Sequence, residues 1–161
     1  MKKTILVVLI AICSSAFVNA QEISDNAIGL RLGDNNGLGT EISYQKQLSN
    51  VNRLELDLGF RSRSNDSDAF KLSGIYQWVW QIDGGFNWYA GFGAGIGSWE
   101  NNNINSNDND GVFLNAAGNI GIEYNFDAPI LISLDVRPEI GLLGNYSDTD
   151  LDLALSVRYQ F

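Results

Sequence analysis

The sequence predicts an all-β fold: eight antiparallel strands closed into an up-and-down barrel that spans a membrane. Three observations carry the prediction. Apolar and polar residues alternate strictly in segment after segment, and side chains of a strand point alternately to opposite faces. Most segments are long enough, at ~3.3 Å per residue and a ~45° tilt, to cross an apolar band ~25 Å tall. Connections after the second, fourth and sixth segments are short, whereas those after the third, fifth and seventh are longer and polar.

The first twenty residues stand apart. Lys2 and Lys3 precede an apolar run from Ile5 to Ile12, and Val18-Asn19-Ala20 is a small-x-small cleavage site. Residues 1–20 therefore read as a secretory signal peptide, and residues 21–161 as one barrel domain. The apolar run is too short for a helix to span ~30 Å of hydrocarbon. Removing the leader removes Lys2 and Lys3 but no acid, leaving 8 Lys and Arg against 19 Asp and Glu, a net charge of −11. So acidic a chain lacks the basic face that phosphate binding needs, which excludes a nucleic-acid partner. The single Cys, Cys13, lies in the leader, so no disulfide is expected. The chain contains no His, the commonest general base and metal ligand. No cofactor is expected.

The segments run as follows. Asn26 to Gly33 turns Ile28, Leu30 and Leu32 to one face and Arg31 to the other, and Asp34 to Gly37 is a strong turn. Leu38 to Leu48 sets Ile42 and Tyr44 against Glu41 and Gln45. Arg53 to Ser62 sets Leu54, Leu56, Leu58 and Phe60 against Glu55, Asp57 and Arg61, and a polar loop is expected from Arg63 to Asp68. Ala69 to Ile82 sets Phe70, Leu72, Tyr76, Trp78 and Trp80 against Lys71, Ser73 and Gln77, ending at the turn Asp83-Gly84-Gly85. Phe86 to Trp99 places Phe86, Trp88, Phe92 and Ile96 opposite a row of glycines from Gly91 to Gly97. Val112 to Phe126 follows an Asn- and Asp-rich loop and carries Ile120, Ile122 and Tyr124 opposite Asn115, Asn119 and Glu123. Ile130 to Leu143 carries Ile132, Leu134, Val136 and Ile140 opposite Ser133, Asp135, Arg137 and Glu139. After a polar loop from Gly144 to Asp150, Leu151 to Phe161 alternates Leu151, Leu153, Leu155, Val157, Tyr159 and Phe161 with Asp152, Ala154, Ser156, Arg158 and Gln160.

Alternation alone does not say which face looks outward. A soluble, lipocalin-like binding barrel would turn the apolar face inward. Volume decides against it, because eight strands enclose a space just wide enough for side chains, and the apolar face carries more than a dozen large rings. Height gives a second sign. Tyr44, Trp78, Trp80, Phe86, Trp88, Tyr124 and Phe126 fall near the short-turn end, with Tyr159 and Phe161, as an aromatic girdle at one membrane interface would.

The closing stretch resembles the C-terminal strand of bacterial outer-membrane β-barrels. The whole mature chain is similar to the small eight-stranded members, outer-membrane protein X and the transmembrane domain of outer-membrane protein A. That resemblance implies a Gram-negative outer-membrane location, with both mature termini in the periplasm. It implies that Leu155, Val157, Tyr159 and Phe161 form the signal read by the barrel-assembly machinery. It also implies a monomer surrounded by outer-membrane lipid and lipopolysaccharide, serving envelope integrity or surface interaction. The barrel enzymes of this size that act on lipid A, and the outer-membrane proteases, depend on a His that this chain lacks, so a non-enzymatic role is expected.

Facing inward, twelve charged residues are expected: Arg31, Glu41, Glu55, Asp57, Arg61, Lys71, Glu123, Asp135, Arg137, Glu139, Asp152 and Arg158. Buried charges must be paired or hydrogen-bonded, so an internal ion-pair network is the expected arrangement. The alternative is a narrow ion or proton channel. Arg137, between Asp135 and Glu139 on one strand face, would hold both carboxylates ionised. Ser106 to Gly111 fails the calcium-loop pattern at its first and last positions, which leaves weak cation bridging between surface Asp residues and lipopolysaccharide phosphates. The glycine row is expected to make room for large groups across the lumen or to let the strand bend. Pro138 has no N–H to give, which predicts a bulge or the barrel rim there.

Overall fold

In a computed structural model, residues 23–33, 39–63, 67–101, 111–143 and 149–161 are described. The expected leader, the expected Asp34–Gly37 turn and most of the expected longer polar loops lie outside them. The eight strands are β1 (Asn26–Gly33), β2 (Thr40–Ser49), β3 (Asn52–Arg63), β4 (Ser67–Asp83), β5 (Phe86–Asn101), β6 (Gly111–Asn125), β7 (Ile130–Leu143) and β8 (Thr149–Gln160). Each pairs antiparallel with the next, and β8 returns to β1, closing the barrel. Every strand except β1 is at least 10 residues long, and β1 has 8.

Closure is tight at the short-turn end. Asn26 N–H donates to the Phe161 carbonyl at 3.1 Å, and Phe161 N–H returns a bond to the Asn26 carbonyl at 2.9 Å. The β4–β5 hairpin turns through Gly84 and Gly85, with Asp83 opposite Phe86. Gly84 has φ of 52°, left-handed backbone that side-chain-bearing residues avoid.

One connection differs from expectation. Of the Arg63 to Asp68 stretch, Arg63 lies in β3 and Ser67 and Asp68 lie in β4, with Arg63 the partner of Ser67. Turn-forming composition there did not outweigh the pull of continuing an existing ladder. Ahead of β2, which begins at Thr40, Gly33 N–H bonds the Gly39 carbonyl at 2.9 Å.

The apolar face is outside. Ile28, Leu30, Phe60, Phe92, Ile120, Leu134, Leu155 and Tyr159 are all exposed, while the opposite positions are buried. Eight strands leave little interior, and two rings nonetheless fit because glycines yield space. A Cβ at Gly97 would collide with the Phe113 ring, and one at Gly121 with the ring of Tyr89 at 2.5 Å. Phe113 and Tyr89 are both buried.

Pro138 sits neither at a bulge nor at the rim. It lies five residues before the end of β7, opposite Leu151. The β6–β7 register is the same on either side of it, running from Ala117↔Glu139 to Ile120↔Val136 with the two rungs between them missing. The ring instead lies against Gly118, where an added Cβ would stand 3.2 Å from Pro138 Cγ. A bare glycine opposite absorbs the proline by skipping rungs, without an extra residue. The bulge of this strand pair is elsewhere, between Leu114 and Asn115.

Candidate functional site

Alternation delivers the charges to the lumen. Of the twelve expected there, Arg31, Glu41, Glu55, Asp57, Lys71, Glu123, Asp135, Arg137, Glu139 and Arg158 are buried and Asp152 is half-buried. The side chain of Arg61 lies outside the described residues. What sequence order does not show is who meets whom, because a side chain inside a barrel reaches across the lumen.

Arg31 on β1 holds three carboxylates: Glu41 at 3.0 Å, Asp135 at 2.7 Å and Asp152 at 2.6 Å. Arg137 on β7 crosses to Asp57 at 2.5 Å, Glu55 at 2.9 Å and Glu41 at 3.4 Å. Arg158 on β8 donates to Glu55 at 3.0 Å and to the Ser43 and Ser133 hydroxyls. These three guanidiniums and five carboxylates form one connected cluster. Two pairs stand beside it. Lys71 on β4 spans the lumen to Glu139 at 2.5 Å, whose Oε2 also accepts from Asn115 at 2.7 Å. Arg53 meets Glu123 at 2.7 Å and lies over the Tyr89 ring, 4.7 Å from its centroid. Amides bind the parts together: Gln77 donates to Asn119, which donates to Asp135, and Gln45 donates to Glu55.

One expectation fails here. Arg137 does not hold its strand neighbours Asp135 and Glu139, which go to Arg31 and Lys71 instead. Residues two apart on a strand lie side by side and point the same way, so a long guanidinium finds its partners on the opposite wall. Arg53 was missed altogether. It shares the inward parity of Glu55 and Asp57, but it opens the expected segment beside the turn and is not among the twelve expected lumen charges. Gln77, Asn119 and Ser43 carried the same parity signal without a charge to draw attention.

Outside, the turn-end aromatic residues pair up. Trp80 stacks on Trp88 at 4.3 Å, Phe86 meets Tyr124 at 4.5 Å, and Tyr124 meets Phe126 at 4.6 Å. Trp78 lies against Tyr76 and Phe92, and Tyr44 donates to Asn26 at 2.8 Å. Phe60 and Phe70 form a separate pair toward the loop end, 5.6 Å apart. Leu155, Val157, Tyr159 and Phe161 all face outward. Among the described residues, no three Asp, Glu, His or Cys side chains group so as to hold a metal ion.

The closed eight-stranded fold has solved counterparts. The N-terminal β-barrel domain of Pseudomonas aeruginosa OprF matches with a TM-score of 0.68 at 16% identity, over 88% of this chain and 100% of that one. Ail, the attachment invasion locus protein of Yersinia pestis, matches at 0.58 and 17% identity, over 86% and 97%. Neisserial surface protein A matches at 0.56 and 14% identity, over 84% and 94%. This is the fold of the small eight-stranded outer-membrane barrels. No family profile and no curated protein sequence matches the chain. The outer-membrane-barrel fold accounts for both faces of the wall, since lipid demands that backbone groups be bonded internally.

Proposed function

We propose that this protein is a non-enzymatic, monomeric barrel of the bacterial outer membrane, with its termini in the periplasm, serving envelope integrity or surface contact through its outer loops. One observation carries the reading: ion pairs run from wall to wall through the lumen, so the barrel is a solid post rather than a pore. Arg137 joins β7 to β2 and β3, and Lys71 joins β4 to β7. A hydrated ion would have to break these bridges. The absence of any His from the sequence removes the base on which the small barrel enzymes depend.

Ail has been solved with a heparin analogue, sucrose octasulfate. The present chain does not suit a polyanion by itself. Residues 34–39, 64–66, 102–110 and 144–148 hold five Asp and no Lys or Arg. Contact with cationic partners, or with lipopolysaccharide phosphates through divalent cations, fits that balance better. Leu155, Val157, Tyr159 and Phe161 would be read by the assembly machinery before insertion.

The test is electrophoretic mobility of the outer-membrane fraction, with and without boiling in SDS. A closed ladder resists cold detergent, so the band should lie in that fraction and shift on heating. A soluble chain with no shift overturns the membrane reading. Steady single-channel conductance in planar bilayers overturns the solid post and favours the channel.

A further inference from the structure

Four inward positions on neighbouring strands stand in one row across the lumen wall. Asp57 on β3 is the partner of Ser73 on β4, Ser73 of Gly95 on β5, and Gly95 of Asn115 on β6. Side chains directly opposite one another on adjacent strands lie about 5 Å apart at Cβ. All four positions are buried. Three of them keep a buried oxygen with no hydrogen-bond partner among the described residues: Asp57 Oδ1, Ser73 Oγ and Asn115 Oδ1. Leaving such atoms unpaired away from water is costly.

The rest of the row is fixed. Asp57 gives its other carboxylate oxygen to Arg137. Asn115 donates from Nδ2 to Glu139 at 2.7 Å, which leaves its carbonyl oxygen on the Gly95 side. A Cβ on Gly95 would stand 2.4 Å from Asn115 Oδ1 and 3.1 Å from Ser73 Oγ. The bare glycine thus leaves room between two unpaired oxygens that any other residue would fill, as strand glycines do where a ligand approaches closely. Charge points the same way. The connected cluster has three guanidiniums, Arg31, Arg137 and Arg158, for five carboxylates, Asp57 among them. A buried surplus of negative charge calls for compensation.

We propose that the lumen binds a small monovalent cation, sodium, between Asp57 Oδ1, Ser73 Oγ and Asn115 Oδ1 in the space left by Gly95. Carboxylate, hydroxyl and amide oxygens are the ligands of hard cations. Only one carboxylate is in reach, and cations already stand behind the ligands: Arg137 on Asp57, and Lys71 on the Glu139 that holds Asn115. That setting favours one positive charge over two. A water molecule would satisfy the oxygens but not the charge. The ion ties β3 and β4 to β6 inside the barrel and makes its stability depend on sodium. The site belongs to the closed barrel itself and does not depend on the role proposed above.

The experiment is urea unfolding of the full chain, folded in one detergent, in sodium chloride and in choline chloride at equal ionic strength. With a dissociation constant of about 10 mM, about 100 mM sodium should raise the folded-to-unfolded ratio about tenfold over choline. Ser73→Ala removes one ligand and should bring that advantage close to unity. Ser156→Ala deletes another buried hydroxyl that has no partner among the described residues, on β8, four strands from β4, and should keep the advantage. Gly95→Ala sets a methyl in the gap and should abolish it too, which keeps the test decisive where Ser73→Ala folds poorly. Equal wild-type stability in the two salts overturns the proposal and leaves water as the bridging group. An advantage that survives Ser73→Ala or Gly95→Ala, or that Ser156→Ala also loses, overturns it as well.

Discussion

Replacing Arg137 by Met is the sharpest test of the lumen. The side chain is fully buried and holds Asp57, Glu55 and Glu41. Met keeps most of the volume, so the cavity contribution is small and the charge contribution dominates. In the wild type, the cluster has three guanidiniums, Arg31, Arg137 and Arg158, for five carboxylates. The variant leaves two for the same five. Glu41 retains Arg31 and Glu55 retains Arg158, but Asp57 loses its ion-pair partner among the described residues. Breaking a buried pair by removing one member costs about 3–5 kcal/mol, or two to four decades in the folding equilibrium. Urea unfolding in a fixed detergent or vesicle, followed by Trp fluorescence and gel mobility, reads it directly. Adding Asp57→Asn should recover part of it. A loss below about 1 kcal/mol at neutral pH, or one that Asp57→Asn deepens additively, would refute the reasoning.

Other perturbations separate the parts. Tyr89→Phe should change stability by less than about 1 kcal/mol by the same urea titration, because the buried hydroxyl has no hydrogen-bond partner among the described residues while the ring keeps its contact with Arg53. Gly97→Val should cost about 1–3 kcal/mol, since the new Cβ meets the Phe113 ring and the Phe70 carbonyl; Gly74→Ala, whose Cβ would meet only Leu56 Cδ2 at 3.5 Å, should be close to neutral. Leu134→Arg, outward on β7 opposite Leu155, should lower folded yield in vesicles by about 2–4 kcal/mol in equilibrium terms if it sits at the bilayer midplane. A tolerated Arg there would contradict a lipid-facing wall.

Alternation made most of the wall legible, because period two and two solvents of opposite polarity leave each position one choice. Ile130 to Leu143 and Asn26 to Gly33 are the strands the pattern marks. The ends were harder. Ser67 and Asp68 look like loop and lie in β4, where Arg63 and Ser62 supply ladder partners. Pro138 looked like a defect to be placed at an edge, and only its neighbour Gly118 shows how a closed sheet admits it. The lumen was legible as a list of residues but not as a set of pairs. Arg137 and Glu55 are 82 positions apart, and their meeting depends on the stagger of the closed barrel, which no local pattern encodes.

The pairs matter because several of them connect strands that the ladder keeps apart. Backbone hydrogen bonds join each strand to its two neighbours, so a part-formed sheet already possesses most of them. The lumen bridges are not confined to that order. Arg31 ties β1 to β2, β7 and β8, Arg137 ties β7 to β2 and β3, Lys71 ties β4 to β7, and Arg53 ties β3 to β6. An open sheet cannot bring Arg137 to Asp57, since four strand positions separate β7 from β3 along it. Only when β8 closes on β1 do these groups face one another with water excluded, and only then do their charge-assisted bonds outweigh the desolvation they require. The network therefore rewards closure itself rather than any one hairpin, which suits a protein whose half-built barrel would expose unbonded edges to lipid.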